Sequence, residues 1–369
     1  MRILHIFAGN LYGGVERGLL TLYRHTAACP EMKLHFGFCF EGRLSRELRD
    51  LNAPLFYLGS PRARRPLSVW WARWLLSRVL SEHKFDRVVT NSPWTQAMFG
   101  STIRKNGIVN ILRLHDAPDG RHWVQRWARF HRPDRVLCNS VFTQQILGNL
   151  YKNIPSDVLY GPVPNGCESI SRVESEKIKK SLDLPPDTTV LIQIGRMEPV
   201  KGHTLMLQSL SLLRDVPGWV CLVVGGVQRD HEELYLQDLQ QKAANWGIAD
   251  RVRFLGQRKD IFELLSASDI YIQANVGPET FGLVFIEALY AGLPVVTTAL
   301  GGATEILNGD YGFLTPPGDA KALAEAIRKL MEDPALRTKY RAAGHGRADA
   351  LCNPARQTRQ FYELLARNG

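Results

Sequence analysis

Gly277-Pro278-Glu279-Thr280-Phe281-Gly282-Leu283-Val284-Phe285-Ile286-Glu287-Ala288-Leu289-Tyr290-Ala291-Gly292-Leu293-Pro294 is the stretch that decides the fold. The apolar run before it, Ile270–Ala274, reads as a buried strand, and Leu283–Ala291 reads as an apolar helix. Strand, glycine-containing loop and helix are the parts of a parallel α/β unit. The first turn of such a helix offers unpaired backbone N–H groups and the positive end of the helix dipole, which suit a diphosphate. Gly282 has no Cβ to keep the backbone away from phosphates. Glu279, before the helix, and Glu287, within it, can then address the sugar end and the ribose hydroxyls of one ligand. Taken alone, the two glutamates are an ordinary loop acid and helix acid. Gly282 and the downstream Gly301-Gly302-Ala303-Thr304-Glu305 turn the pattern toward a site.

Outward from this stretch the same alternation runs through the chain. In the first half Arg2–Ala8, Leu34–Cys39, Leu55–Tyr57, Arg87–Thr90, Asn110–Leu114 and Arg135–Cys138 predict strands. In the second, Thr189–Ile194, Trp219–Val224, Val252–Leu255, Ile270–Ala274, Pro294–Thr297 and Gly312–Thr315 do. Helical periodicity occupies Glu16–Thr26, Leu67–Leu80, Thr204–Leu213, His231–Trp246, Leu283–Ala291 and Ala320–Met331. A break falls near Pro162-Val163-Pro164-Asn165-Gly166 and the polar stretch to Pro185-Pro186, where Pro and Gly argue for a linker. The expected plan is an α/β domain over 1–165, a linker over 166–184, a second α/β domain over 185–352 and a terminal helix over 353–369. Two doubly wound sheets joined in this way bind ligands at the carboxyl ends of their strands.

Bulk properties narrow the classes. With 369 residues, 45% hydrophobic and 22% charged, the chain suits two globular domains. No apolar run reaches the ~18 residues of a membrane span, and MRILHIFAGNLYGG is too glycine-rich for a signal peptide. The six cysteines are scattered without C-x-x-C pairs, which makes a reducing cytoplasm the expected compartment. The net charge of +10 is uneven: residues 1–165 carry 23 Lys and Arg against 11 Asp and Glu, and the remainder 23 against 25. The first half therefore expects an anionic partner. Charge alone leaves nucleic acid, acidic lipid and phosphorylated acceptors open.

Gly195-Arg196-Met197-Glu198-Pro199-Val200-Lys201-Gly202 also sits between a strand and a helix. Arg196, through its planar fork, and Lys201, as a point charge, can clamp a diphosphate and stabilise it as it leaves. This is not a G-x-x-x-x-G-K-[ST] loop, and Gly13-Gly14-Val15-Glu16-Arg17, after the first strand, lacks the G-x-G-x-x-G of dinucleotide binders, which argues against NAD. No D-x-D pair is present to bring a divalent ion.

The Glu279/Glu287 spacing and the Arg196/Lys201 segment together resemble the retaining glycosyltransferases of the GT-B fold, the large family four with its E-x7-E signature, typified by bacterial and sucrose-type transferases. The resemblance spans nearly the whole chain and is densest from Thr189 to Leu330. It implies two facing Rossmann-like domains with an interdomain cleft, the first binding acceptor, the second binding the nucleotide-sugar, and a C-terminal helix crossing back to the first. It implies catalytic roles for Glu279, His115, Arg196 and Lys201. Donor binding would fall to Gly13, Gly14, Arg196, Lys201, Gln257, Phe281, Gly282, Leu283 and Glu287. Gly13-Gly14-Val15-Glu16-Arg17 is equally a plain tight turn, and a histidine ending a strand, as His115 does, is often structural. Asn139-Ser140 and Asn165-Gly166 match positions bordering the family's cleft. Gly256-Gln257-Arg258-Lys259-Asp260 matches the loop that holds the base, and it does not choose between uracil and guanine. Neither a metal nor a cofactor is expected.

Arg62-Ala63-Arg64-Arg65-Pro66-Leu67-Ser68-Val69-Trp70-Trp71-Ala72-Arg73-Trp74-Leu75-Leu76-Ser77-Arg78 mixes cations with aromatic bulk, and Trp123–Arg132 adds Trp127, Arg126 and Arg129. Five of the eight tryptophans fall in these stretches, so an anionic membrane surface via Arg62–Arg78 is an expected partner. The bland alternative is that these tryptophans are core. The expected function is a metal-independent retaining transfer from a nucleotide-sugar, UDP-sugar over GDP-sugar, to a glycan or lipid-linked acceptor, in polysaccharide or glycolipid synthesis. The location would be the cytoplasm, peripheral on the inner face of the membrane. The rivals are a soluble transferase with a small sugar or sugar-phosphate acceptor, a non-catalytic nucleotide-sugar binder, a nucleotide-sugar epimerase and a nucleic-acid binder. The last lacks any recognised motif, and no nucleic acid is expected.

Overall fold

The computed structural model describes residues 1–10, 13–166, 170–185, 187–227 and 229–367. Two compact units are present: Met1–Pro164 with Cys352–Gly369, and Asn165–Leu351. In the first unit β1 (Arg2–Phe7), α1 (Gly14–Arg24), β2 (Lys33–Phe38), α2 (Arg43–Asp50), β3 (Leu55–Tyr57), α3 (Pro66–His83) and β4 (Arg87–Thr90) come first. They are followed by α4 (Pro93–Lys105), β5 (Val109–Leu114), α5 (Trp123–Ala128), β6 (Arg135–Cys138), α6 (Val141–Gln145) and β7 (Ser156–Val158). The strands form one sheet in the order β3-β2-β1-β4-β5-β6-β7, parallel throughout.

The second unit opens with α7 (Arg172–Ser181), β8 (Thr189–Ile194), α8 (His203–Ser211), β9 (Trp219–Val224), α9 (Asp230–Asn245), β10 (Val252–Gly256), α10 (Ile261–Ser266) and β11 (Ile270–Gln273). Next are α11 (Leu283–Tyr290), β12 (Val295–Thr298), α12 (Ala303–Ile306), β13 (Gly312–Thr315), α13 (Ala320–Glu332) and α14 (Pro334–Cys352). Its sheet order is β10-β9-β8-β11-β12-β13, again all parallel. Each order reverses once, between β1 and β4 and between β8 and β11. These reversals are where doubly wound sheets open a crevice for ligands.

Parallel strands covered on both faces need apolar residues at every position, and every residue of Trp219–Val224 is buried. The helices start where local chemistry satisfies their first N–H groups. Ser92 accepts from the Thr95 N–H at 3.2 Å, with Pro93 at the first helical position of α4. Asn353 does the same for α15 (Pro354–Ala366), accepting from Arg356 at 3.0 Å. α15 belongs to the first unit, where Phe361, Leu364 and Leu365 join Ile3, Phe36 and Leu137 in one core cluster.

Three elements depart from the sequence expectations. The stretch 166–184, expected as linker, contains α7, whose first turn is closed by Ser171 and Glu174. β7 is a three-residue edge strand with no apolar run to announce it. α14 carries Gly344 and Gly346 in its interior, so its sequence has little helical signature. Cys29, Cys39, Cys138 and Cys221 are buried and free, and Cys352 is buried. Cys167 and Pro186 lie outside the described residues.

Three buried imidazoles contribute to the acid response of the fold. Burial first, then the Arg113 charge, lowers His5 to about 3. Burial holds His203 at about 4, and burial, Arg113 and His5 hold His115 well below 6.5. The unfolded chain takes up protons near 6.5 that the folded chain refuses, so these groups make stability fall as pH drops below about 6.5. Denaturant midpoints measured from pH 7.5 to 4.5 should decline over that window, with a shallower decline in His203→Phe. A flat profile would contradict this.

Candidate functional site

In the second unit the loop after β8 and the loop after β11 meet at the strand-order reversal. Gly202 has a φ of +68°, and a Cβ there would fall on the carbonyl oxygen of Ala274. Only glycine allows the loops to pack this closely. The Gln193 side-chain amide donates to the Lys201 carbonyl at 2.9 Å and fixes the loop from below. Lys201 is thereby aimed at Glu279, with Nζ 2.6 Å from Oε2, and the two side chains are only 20% and 16% exposed.

Glu279 is held from several sides. Its carbonyl accepts from the Gly302 N–H at 2.7 Å, and its backbone bridges Gly301. Its Oε2 accepts from Gln273 Nε2 at 3.4 Å. The same Nε2 donates to Asn275 Oδ1 at 2.9 Å, and the Tyr271 hydroxyl donates to Gln273 Oε1 at 2.6 Å. Tyr271, Gln273 and Asn275 are buried and form a polar floor beneath the carboxylate. Burial pushes the Tyr271 phenol well above its usual value, so it stays a donor. The sequence reading missed this floor, although alternate polar residues ending an otherwise apolar strand were its signal.

Gly282, with φ +99°, caps the N-terminus of α11, and a Cβ there would run into the Phe285 ring. Leu283 begins the helix, Phe281 is buried just before it, and Glu287 is buried one turn in at 3% exposure. Glu287, the residue expected to meet a ribose, lies within this buried helix. Arg196 is more than half exposed and lies 2.8 Å from Glu198. Gln257 abuts Gly226, where a Cβ would come within 2.6 Å of its own. Arg258 and Asp260 pair with each other at 2.5 Å at the start of α10.

The first unit groups its own candidates at the carboxyl end of its sheet. Gly13 precedes α1, and its N–H donates to Glu16 Oε2 at 2.9 Å, while Gly14 opens the helix. Burial raises the Glu16 carboxyl, with a smaller push from Asp116. His115 follows β5, and its carbonyl accepts from Asn139 Nδ2 at 3.3 Å. Its Nε2 is enclosed without a hydrogen-bond partner among the described residues. With its acid form suppressed, His115 is a neutral imidazole at any ordinary pH. Ser140 caps α6 through the Thr143 N–H at 3.0 Å, and Asn165 lies 2.8 Å from His345 Nε2.

The second unit thus offers a shielded cation, a helix start and a carboxylate within one loop cluster, the parts needed to hold an anion beside a hydroxyl-bearing group. Among the described residues no three His, Cys, Asp or Glu side chains come together as a metal site would require.

Known proteins share this architecture and its sequence. Residues 174–347 match the family described as Glycosyl transferases group 1, and residues 12–165 match Glycosyltransferase Family 4. A phosphatidyl-myo-inositol mannosyltransferase of Mycobacterium leprae is 35% identical over 299 residues, covering 72% of this chain and 76% of that protein. The lipopolysaccharide core biosynthesis glycosyltransferase LpsE of Rhizobium meliloti is 28% identical over 261 residues, 70% of each chain. Among solved structures, Anabaena Alr3699/HepE in complex with UDP superposes with a TM-score of 0.88 at 23% identity, covering 99% of this chain and 100% of that one. With both halves matched and two Rossmann-like sheets of the GT-B type, the chain belongs to the group 1 glycosyl transferases of glycosyltransferase family four and is a sugar-transferring enzyme.

Proposed function

We propose that the enzyme moves a sugar from a nucleotide-sugar, a UDP-sugar in preference to a GDP-sugar, to a glycan or lipid-linked acceptor, with retention of configuration and without a metal. The work would be done in the cytoplasm, at the inner face of the membrane, in cell-surface polysaccharide or glycolipid synthesis. The observation that carries this reading is the shielded Lys201–Glu279 pair beside the start of α11. A donor diphosphate, doubly anionic, competes with Glu279 for Lys201 and accepts from the N–H groups at the start of α11. Once Lys201 turns to the phosphates, Glu279 is released to accept hydrogen bonds from the sugar. Arg196, with its guanidinium near the surface, can exchange Glu198 for phosphate in the same way. The uridine preference is supported by the HepE complexes with UDP and UDP-glucose, and the lipid acceptor by the phosphatidyl-inositol substrate in the name of the mycobacterial relative.

The chemistry then needs no protein nucleophile. The bond between the anomeric carbon and the diphosphate oxygen breaks while the acceptor oxygen forms a bond on the same face. The departing oxygen takes the acceptor proton. Lys201, Arg196 and the α11 N-terminus stabilise the charge that grows on the leaving group. His115, neutral, can hydrogen-bond a sugar hydroxyl without adding charge. The excess of cations in residues 1–165 also suits a small phosphorylated acceptor, which keeps the soluble transferase as the second reading.

A screen of UDP- and GDP-sugars for turnover, with the product anomer read by NMR, tests the proposal directly; an inverted product would refute retention. Glu279→Gln should abolish transfer yet leave UDP affinity equal or raised, because Lys201 loses its internal partner. Glu287→Gln should instead weaken UDP binding by about 1.5–3 kcal/mol if its carboxylate holds the ribose. Titration calorimetry separates the two, and equal losses in both would sink the division of roles. Turnover should persist in excess EDTA, while Lys201→Ala or Arg196→Ala should cost roughly tenfold to a thousandfold in kcat. Activity lost in EDTA and restored by magnesium would overturn metal independence.

A further inference from the structure

α3 is apolar on two sides. Val69, Ala72, Leu76 and Leu80 face the core of the first unit, at the three- and four-residue spacing of one helical stripe. Leu67, Trp70, Trp71 and Trp74 make a second stripe that faces out, exposed by 42% at Trp74 and up to 83% at Leu67. A helix apolar on both sides ordinarily has a partner on both, and among the described residues α3 has one only on the first. These tryptophans are therefore not core.

The outward stripe continues onto α5. Trp71 and Trp74 stack at 4.8 Å. The Arg73 guanidinium lies 6.0 Å from the Trp127 ring, which stacks on Trp123 at 6.3 Å. Trp123 and Phe130 are exposed in turn. Arg73 itself faces inward, donating to the carbonyls of Met98 at 2.7 Å and Ala97 at 3.3 Å. It ties α3 to α4, reaches α5 only at the Trp127 ring, and does not add to the outer charge.

What should cover this face follows from its rim. From Arg62 to Ser81 and from Gly120 to Pro133 there are nine arginines and no acidic residue. Arg62, Arg64 and Arg65 are exposed at the start of α3, and Arg121 and Arg126 are exposed around α5. Arg129 and Arg132, with Lys152, line a pocket just beyond it. Tryptophan is the side chain that rests at the level of lipid headgroups, and arginine extends its stem along apolar surface while its head meets phosphate. No described helix is long and apolar enough to cross a membrane, so a contact made here is made from the surface.

We infer that the α3–α5 face docks on an anionic phospholipid bilayer. Trp70, Trp71, Trp74 and Trp123 enter the interfacial layer, and Arg62, Arg64, Arg65, Arg121 and Arg126 meet headgroup phosphates. The inference stands on exposure and charge, independently of which sugar is moved.

Co-sedimentation with vesicles of phosphatidylglycerol and phosphatidylcholine, against phosphatidylcholine alone, tests it without any donor present. The protein should partition onto the anionic vesicles only and be released as salt rises. Arg62→Ser/Arg64→Ser/Arg65→Ser should lower the partition coefficient on the order of a hundredfold. Trp70→Ser/Trp71→Ser/Trp74→Ser should also abolish the blue shift of tryptophan emission on vesicle addition. An unchanged circular dichroism spectrum and thermal midpoint in both variants show that each remains folded. Equal sedimentation with neutral vesicles, or unaltered partition in both variants, overturns the inference. So does a wild-type dimer in sedimentation velocity that the tryptophan variant dissolves while vesicles bind neither protein; the face would then belong to a second copy.

Discussion

Burying a lysine and a glutamate by four-fifths or more is costly unless the two lie against each other. The Lys201–Glu279 contact at 2.6 Å is therefore a constraint on everything around it. It requires the loop after β8 and the loop after β11 to touch, which requires Gly202 where a Cβ would strike Ala274. It requires a floor that can carry a charge, and Tyr271, Gln273 and Asn275 supply it in hydrogen-bonded succession. The strand-order reversal between β8 and β11 is what brings the two loops side by side. The pair satisfies itself within the unit, each charge answered by the other and the carboxylate also by Gln273.

The sheets were legible in the sequence for a specific reason. Parallel strands covered on both faces are contiguous apolar runs, and Thr189–Ile194, Trp219–Val224 and Gly312–Thr315 have the bounds read from the sequence. Elements that lean on chemistry other than burial were harder. α7 is polar along most of its length and sits in a stretch bracketed by Pro and Gly; only the Ser171/Glu174 box marks it. β7 lies at a sheet edge and needs no apolar run. At the site, Lys201, Glu279 and Gly282 were legible because glycine and charge stand out between strand and helix. The polar floor was not, since Tyr271 and Gln273 look like strand residues until their partners are known. The depth at which Glu287 lies could not be read from spacing either, because α11 is apolar on every side and hides its only acid.

The two units divide their electrostatics as they divide their structure. The second is near neutral overall and places its cations locally, at Arg196 and Lys201, each with an internal counter-ion. The first carries its excess of arginines around exposed aromatic rings, with few acids to offset them. Inside it the pattern inverts: Arg113 is buried beside His5 and His115, and its charge helps keep both imidazoles neutral.

The contribution of α15 to the core of the first unit has a consequence for biosynthesis. Phe361, Leu364 and Leu365 pack on strands that were made at the start of the chain, but the 187 residues of Asn165–Leu351 are translated in between. At ribosomal rates of about 5–20 residues per second, that delay is roughly 10–40 s. During it the sheet of the first unit exposes the apolar surface that α15 will cover, while the second unit can already close its own. A nascent chain in this interval offers chaperones a binding surface on its N-terminal half, and a premature stop shortly before α15 damages the first unit and spares the second.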